Sequence, residues 1–246
     1  MQGCPRGGLG ALPILPPRNH PACLRLLICG TAWLSSGLVL ADPCASLPKP
    51  SVQIKRLETP LTFNRDYTVA ALNILGAGAN KPGHQVLGLT RGTAAVTFNS
   101  QYPRITDNAG RWECVSPQLL LTYGYKPMTV YVAREFPPGS CSHKAIHEHE
   151  MRHVETYLQH LNTIESEILG ALKARFETGE PWRGPPGQMT ASLRQELESR
   201  WIPYVQRLIR QVDALQAEID TQEEYARVSS ACEGEIRRQP GSARPR

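Results

Sequence analysis

The sequence predicts an α+β fold, with mostly antiparallel strands and a hairpin on the N-terminal side followed by two long antiparallel helices. Three observations carry this reading. Residues 42–138 are rich in Pro, Gly, Thr and Val with short apolar runs, the pattern of strands and turns. Residues 140–236 hold two stretches whose apolar positions recur every three or four residues. The first of these stretches contains His149-Glu150-Met151-Arg152-His153, an H-E-x-x-H run. With 246 residues, 41% of them hydrophobic, the chain suffices for one domain with a proper core.

The two ends read as trimmings. Arg6, Arg18 and Arg25 precede a mostly apolar stretch, Leu26 to Leu40, and Val39-Leu40-Ala41 has the small or compact residues a signal peptidase reads. Residues 1–41 are therefore expected to be a signal peptide cleaved after Ala41. The apolar stretch is short for a spanning helix and is diluted by Gly30, Ser35, Ser36 and Gly37, so no stable membrane insertion is expected afterwards. Residues 237–246 form an expected disordered basic tail, leaving 42–236 as a single domain. Of the formal net charge of +5, three arginines belong to the signal and four to the tail, so residues 42–236 carry −2. The basic pI thus gives no reason to expect a nucleic-acid partner.

Removing the signal leaves Cys44, Cys114, Cys141 and Cys232, an even number that reads as two disulfides in an oxidising compartment. There is no C-x-x-C pair to support a cysteine metal site. Ser51 to Leu57 and Thr93 to Phe98 read as strands, and Val69 to Leu75 as a short helix with Thr68 as N-cap and Gly76 as its stop. Leu119 to Tyr123 and Met128 to Ala133 read as the arms of a hairpin turned at Gly124-Tyr125-Lys126-Pro127. Because a hairpin brings its open ends together, Cys114 is expected to pair with Cys141, and by elimination Cys44 with Cys232.

The first long helix is expected from Ser140 or Ser142 to about Phe176. Its stripe of Ile146, Val154, Tyr157, Leu161, Ile164, Ile168 and Leu172 has one vacancy, at position 150. Glu150 therefore points inward while His149 and His153 flank the stripe, and an inward carboxylate needs a partner. An ordinary arginine or backbone group could supply it. So could a metal ion. After a loop at Pro181 to Gly187, the second helix is expected from about Thr190, with Ser192 and Gln195 as a capping pair and a kink near Ser199 caused by Pro203.

Residues four apart share a helix face, so both imidazoles can bind one Zn²⁺ while Glu150 serves as the general base for water, the chemistry of a zincin-like domain. A third protein ligand is then required. His160 lies about 16 Å from His149 and about 10 Å from His153 on a continuous helix, too far to share an ion. The metzincin solution, a helix broken at Gly three residues after the second His, is excluded by Thr156 at that position. His143 and His147 lack a backbone break that would aim them at the same metal. The antiparallel second helix offers Asp213, Asp220, Glu223 and Glu224, of which Glu224 is the first choice and Glu223 the alternative. Tyr157, His160 and Tyr225 are available as oxyanion donors.

The order of strand region, Cys114, a Tyr123/Tyr125-Lys126-Pro127 hairpin, the His149-Glu150-x-x-His153 helix and a second long helix ending in Glu224-Tyr225-Ala226-Arg227-Val228 resembles a family of bacterial secreted proteins. These are described as predicted secreted zinc-dependent proteases, a domain of otherwise unknown function. The resemblance covers roughly residues 52–230 and implies roles for His149, Glu150 and His153. Val154 and Ala226 depart from the Gly and Asp common at those places in the family. The expected function is a secreted or periplasmic zinc metallopeptidase-like hydrolase acting on a peptide or protein. An amidase acting on cell-wall peptides would use the same chemistry, and a non-catalytic envelope binding or scaffold protein with a degenerate metal site is the alternative.

Overall fold

The computed structural model describes residues 42–77 and 85–238. The expected signal peptide and residues 239–246 of the expected tail lie outside them. After a 3-10 turn at Pro43–Ser46, the elements in chain order are β1 (Ser51–Arg56), β2 (Leu61–Asn64), α1 (Val69–Leu75), β3 (Gly88–Gln101), β4 (Arg104–Thr106), β5 (Glu113–Val115), β6 (Gln118–Val132) and α2 (Cys141–Phe176). They continue with β7 (Trp182–Gly184), α3 (Met189–Glu196), α4 (Ile202–Arg210), α5 (Val212–Ile219) and α6 (Gln222–Arg238). The fold is mixed α and β, as expected, but its sheet differs from the expectation.

There is no hairpin at Gly124–Pro127: β6 runs straight through, and the sheet is built around it. β3 pairs antiparallel along its length, while β1 and β2 lie end to end on the other side, both parallel to β6. Gly and Pro punctuate a strand here without turning it. Ala94 pairs with Tyr125 and Gly92 with Met128, so Lys126 and Pro127 oppose the single residue Thr93. That is a bulge. It shifts the inward face by one residue, from Leu119, Leu121, Tyr123 and Tyr125 to Met128, Val130 and Val132, all buried. The apolar pattern thus stays on one face despite the interruption.

The continuous strand also corrects the disulfides. Cys44 pairs with Cys114 and Cys141 with Cys232, at Cα separations of 5.6 and 5.7 Å, in place of Cys114–Cys141 and Cys44–Cys232. A 15-residue strand spans about 50 Å, so the residues before and after β6 are held apart rather than together. Cys114 instead sits in a small second sheet of order β4-β5-β7. Two disulfides fit a protein of an oxidising compartment. Among the described residues no helix is long and apolar enough to cross a membrane.

The expected first helix is present as α2, 36 residues long, with Ser140 as N-cap accepting from the His143 N–H. α1 begins at its Thr68 cap, as its sequence signals. The second long helix is not continuous. A π-helical turn at Leu197–Trp201 stands where the Pro203 kink was expected, and further breaks at Gln211 and Asp220 divide the rest. Pro203 has no N–H to continue the ladder, and Ser199 Oγ bonds the Gln195 carbonyl at 2.7 Å within the break. Ser192 lies inside α3 and does not cap it. At the far end, Arg237 and Arg238 belong to α6 and Ile236 is buried, so the ordered fold reaches beyond the expected boundary.

Two core clusters result. The larger joins the inner face of β6 to Val154, Leu161, Ile164, Ile168 and Leu172 of α2 and to Leu193, Trp201, Val205 and Leu208 of the broken helix. The smaller joins Leu72, Val132, Phe136 and Ile146 to Val228 and Ile236 of α6. Tyrosine hydroxyls fix the helices on the sheet: Tyr123 donates to the Leu161 carbonyl and Tyr125 to the Ile209 carbonyl.

Peptide mapping under non-reducing conditions is expected to recover the 44–114 and 141–232 pairs, and recovery of a 114–141 pair would contradict the continuous β6. The double variant Cys141→Ser, Cys232→Ser, which opens a ring of sequence separation 91, is expected to lose about 2–5 kcal/mol in denaturant melts. Glu196 is bound by Arg175 through two hydrogen bonds of 2.9 and 2.7 Å and by the Trp201 indole. Burial alone would raise its pKa, but these partners hold it below the usual carboxylate value. Its contribution to stability is therefore complete above the unfolded-state pKa of about 4.3 and lost as pH falls through the lower folded value. Glu196→Gln is expected to flatten that acid limb of the stability curve.

Candidate metal centre

The vacancy in the apolar stripe of α2 is filled as the spacing predicts. Ile146 and Val154 are buried on either side of Glu150, whose side chain is also buried. Its Oε2 accepts from Thr90 Oγ1 at 2.8 Å. The strand passes so close that a Cβ at Gly88 would fall 2.6 Å from Glu150 Oε1 and 2.8 Å from the Ile146 side chain. Only glycine leaves room there for the carboxylate.

His149 and His153, one turn apart and both buried, place their Nε2 atoms 3.2 Å from each other. Asp220 completes a triangle, with Oδ1 at 3.2 Å from His149 Nε2 and 3.3 Å from His153 Nε2. Three ligands of a tetrahedral ion bound at about 2.0–2.1 Å lie about 3.3 Å apart, so the triangle has the dimensions a small divalent metal requires. His149, His153 and Asp220 could thus hold a metal ion.

The third member of the cluster is therefore Asp220, one of the four acids considered, and not Glu224. Glu224 sits behind His149: its Oε1 is 3.0 Å from Nδ1, and it also binds Arg152 and, at 2.7 and 2.9 Å, Arg227. Arg152 Nη2 also lies 3.0 Å from that nitrogen, but it already donates to Glu224. The carboxylate accepting Nδ1–H leaves the Nε2 lone pair pointing into the triangle. Gln216 does the same for His153, its Oε1 lying 2.6 Å from Nδ1 while its Nε2 donates to the His153 carbonyl at 3.1 Å. Glu223 is exposed and takes no part. Gln216 was not anticipated, because nothing in its local sequence separates it from a surface glutamine.

Asp220 carried a signal that the helical pattern hid. Thr221 and Glu224 form the S/T-x-x-E pattern of a helix start, and Thr221 Oγ1 accepts from the Glu224 N–H at 3.1 Å. A helix beginning at Gln222 must be preceded by a break, and Asp220, with φ −82° and ψ 57°, is that break. An acid at a break is aimed by the turn and not by the helical period.

Charge agrees with the geometry. Burial would raise the Asp220 carboxyl, but its bonds to His149 and His153 hold it well below the usual range. Glu224 is lowered to about 2, first by Arg227 and then, against burial, by His149 and Arg152. His153 would be lowered by burial, yet Asp220, Glu150 and Gln216 raise it. Glu150 is raised, chiefly by burial and against the pull of His153 and His149.

The cluster opens into a cavity of about 460 Å³ bounded by Gly88 to Thr90 of β3 on one side and by Gln216, Asp220 and Tyr225 on the other. Tyr157 lines it too. The Tyr225 phenol is pushed up to about 12 by burial and by the Asp220 and Glu150 charges, so it remains a donor at neutral pH. His160 is not an oxyanion donor, because it lies outside the cavity and its Nε2 meets the Leu208 carbonyl at 2.8 Å in the core. Asp213 is an exposed residue of the cavity wall, and His143 and His147 lie outside the cavity. No family model, curated protein or solved structure matches this chain.

In titrations with Zn²⁺, Asp220→Ala is expected to abolish tight binding as fully as His149→Ala, Glu224→Gln to weaken it about 10–100-fold, and Glu223→Gln to leave it unchanged. Wild-type affinity in Asp220→Ala would remove it from the ligand set. Gly88→Ala is expected to cost about 1–3 kcal/mol in thermal or denaturant melts, through the contact with Glu150.

Proposed function

We propose that this protein is a zinc-dependent hydrolase of peptide-like amides working in an oxidising compartment. The observation that carries this reading is the convergence of two imidazoles and one carboxylate beside a buried glutamate. Three protein ligands with room for a fourth is the arrangement of catalytic rather than structural zinc sites, and two nitrogens with one oxygen suit that ion. When bound, zinc acidifies water and polarises a carbonyl.

The remaining work falls to the chain. Glu150 accepts the proton of the attacking water, and the burial that raises its pKa makes the ionised carboxylate a stronger base. Thr90 holds Oε2, which leaves Oε1, the atom beside Gly88, for that proton. Tyr225, and Tyr157 across the cavity, supply O–H donors for the charge that develops on the carbonyl oxygen. Glu224 and Gln216 keep the imidazole rings in register with Asp220.

An extended peptide is the substrate best matched to the cavity wall. The Ala133 N–H donates to the Leu87 carbonyl, so alternate residues of β3 bond to β6 and the backbone groups of Gly88 and Thr90 face its other edge. Among the described residues no strand pairs with that edge, so a substrate strand could add to it beside Glu150.

Glu150→Gln is expected to retain zinc and to lose at least about 100-fold in the rate of hydrolysis of an unfolded protein substrate such as denatured casein, followed by release of new amino termini. Unchanged cleavage would exclude Glu150 as the base. A wild-type protein that binds one zinc per chain and cleaves nothing in a peptide library would favour a binding protein instead.

A further inference from the structure

We propose that the recess between β2 and the first two turns of α2 binds a small organic anion, a carboxylate on an apolar or aromatic body. The recess measures about 230 Å³ and lies outside the cavity of the metal centre. Its floor is apolar, formed by the buried Val130 and Val132. Its rim is aromatic: Phe63, 54% exposed, stacks on His147 at 5.5 Å, and His147 stacks on His143 at 5.9 Å.

The two histidines of this recess differ from the other histidines among the described residues. His149, His153 and His160 each have a ring nitrogen bonded to a named partner. Among the described residues, neither His143 nor His147 has a hydrogen bond at its ring, although both are half-buried, and Arg65 beside them forms no ion pair. Their ring nitrogens and the Arg65 guanidinium are therefore not engaged by other described groups and are available to donate to a ligand in the recess.

The chemistry of the set selects the ligand. Arg65 is always a cation and a donor, and each imidazole has an N–H to offer in either charge state. No carboxylate lines the recess. Arg65 interacts with His143 as like charge to like, helping to hold its pKa down behind the larger effect of burial, which argues against a cation in the same space. An anion relieves that repulsion. The backbone of the helix start takes no part, since the His143 and Lys144 N–H groups are bound by Ser140. The apolar floor and Phe63 call for a hydrocarbon or aromatic body behind the charge, which inorganic phosphate lacks.

Titration of the full mature chain with benzoate, followed by the imidazole resonances of His143 and His147, tests this. Benzoate is expected to shift both saturably, and acetate, benzamide and inorganic phosphate to bind more weakly. Arg65→Gln is expected to weaken benzoate at least about tenfold, and Phe63→Ala several-fold, with melting temperatures like the wild type. The shifts should be the same with and without zinc and in Glu150→Gln, so the outcome does not depend on the hydrolase reading. No shift at about 10 mM benzoate, equal affinity for benzamide, or wild-type affinity in Arg65→Gln would overturn the proposal.

Discussion

A charged carboxylate in an apolar helix face has to be answered by neighbouring groups, and the burial of Glu150 organises much of what surrounds it. The same face of α2 that supplies the core with Ile146, Val154, Leu161 and Ile168 carries Glu150 inside it. The answer comes from three directions: Thr90 from the sheet, His149 and His153 from its own helix, and the missing side chain of Gly88, which lets the strand approach. Because α2 continues unbroken past Thr156 to Phe176, it cannot fold back to provide another ligand. The remaining acid must come from a different element, and that element must be held against the first turns of α2.

α6 meets that requirement. Val228 and Ile236 pack into the smaller core with Ile146, Ser142 Oγ donates to Glu235 at 2.5 Å, and Cys232 is bonded to Cys141 at the start of α2. Asp220 and Glu224 precede these anchors and are positioned by them. The division of labour between the two acids follows from the backbone. Asp220, at a break, reaches the Nε2 atoms, whereas Glu224, on a regular helix, reaches only the far side of the His149 ring.

Local pattern made some of this legible in the sequence. The α2 helix, the Thr68 cap of α1, the inward direction of Glu150 and the break near Ser199 all depend on residues within a few turns of one another. What depended on distant pairing was not legible. Gly124 and Pro127 have the composition of a turn, and only the Thr93 irregularity in a strand some 30 residues away makes them a bulge. The same distant pairing keeps β6 continuous and so separates Cys114 from Cys141. Counting facing positions along a straight antiparallel helix does not single out Asp220 from Asp213, Glu223 and Glu224, and the breaks at Trp201, Gln211 and Asp220 invalidate such a count. The S/T-x-x-E pattern at Thr221 was the local sign of the last of them.

The connectivity of the two disulfides has a topological consequence. They close two successive rings that do not overlap in sequence, residues 44–114 and 141–232, and β6 lies between them in neither. Every residue of the candidate metal cluster, together with Glu150 and both of the groups behind the imidazoles, falls within the second ring. A cut in the exposed connection around Gly179 and Glu180 would open that ring without separating its halves, so His149 and Asp220 would remain on one covalent molecule. A single nick there leaves all the residues of the candidate centre covalently joined.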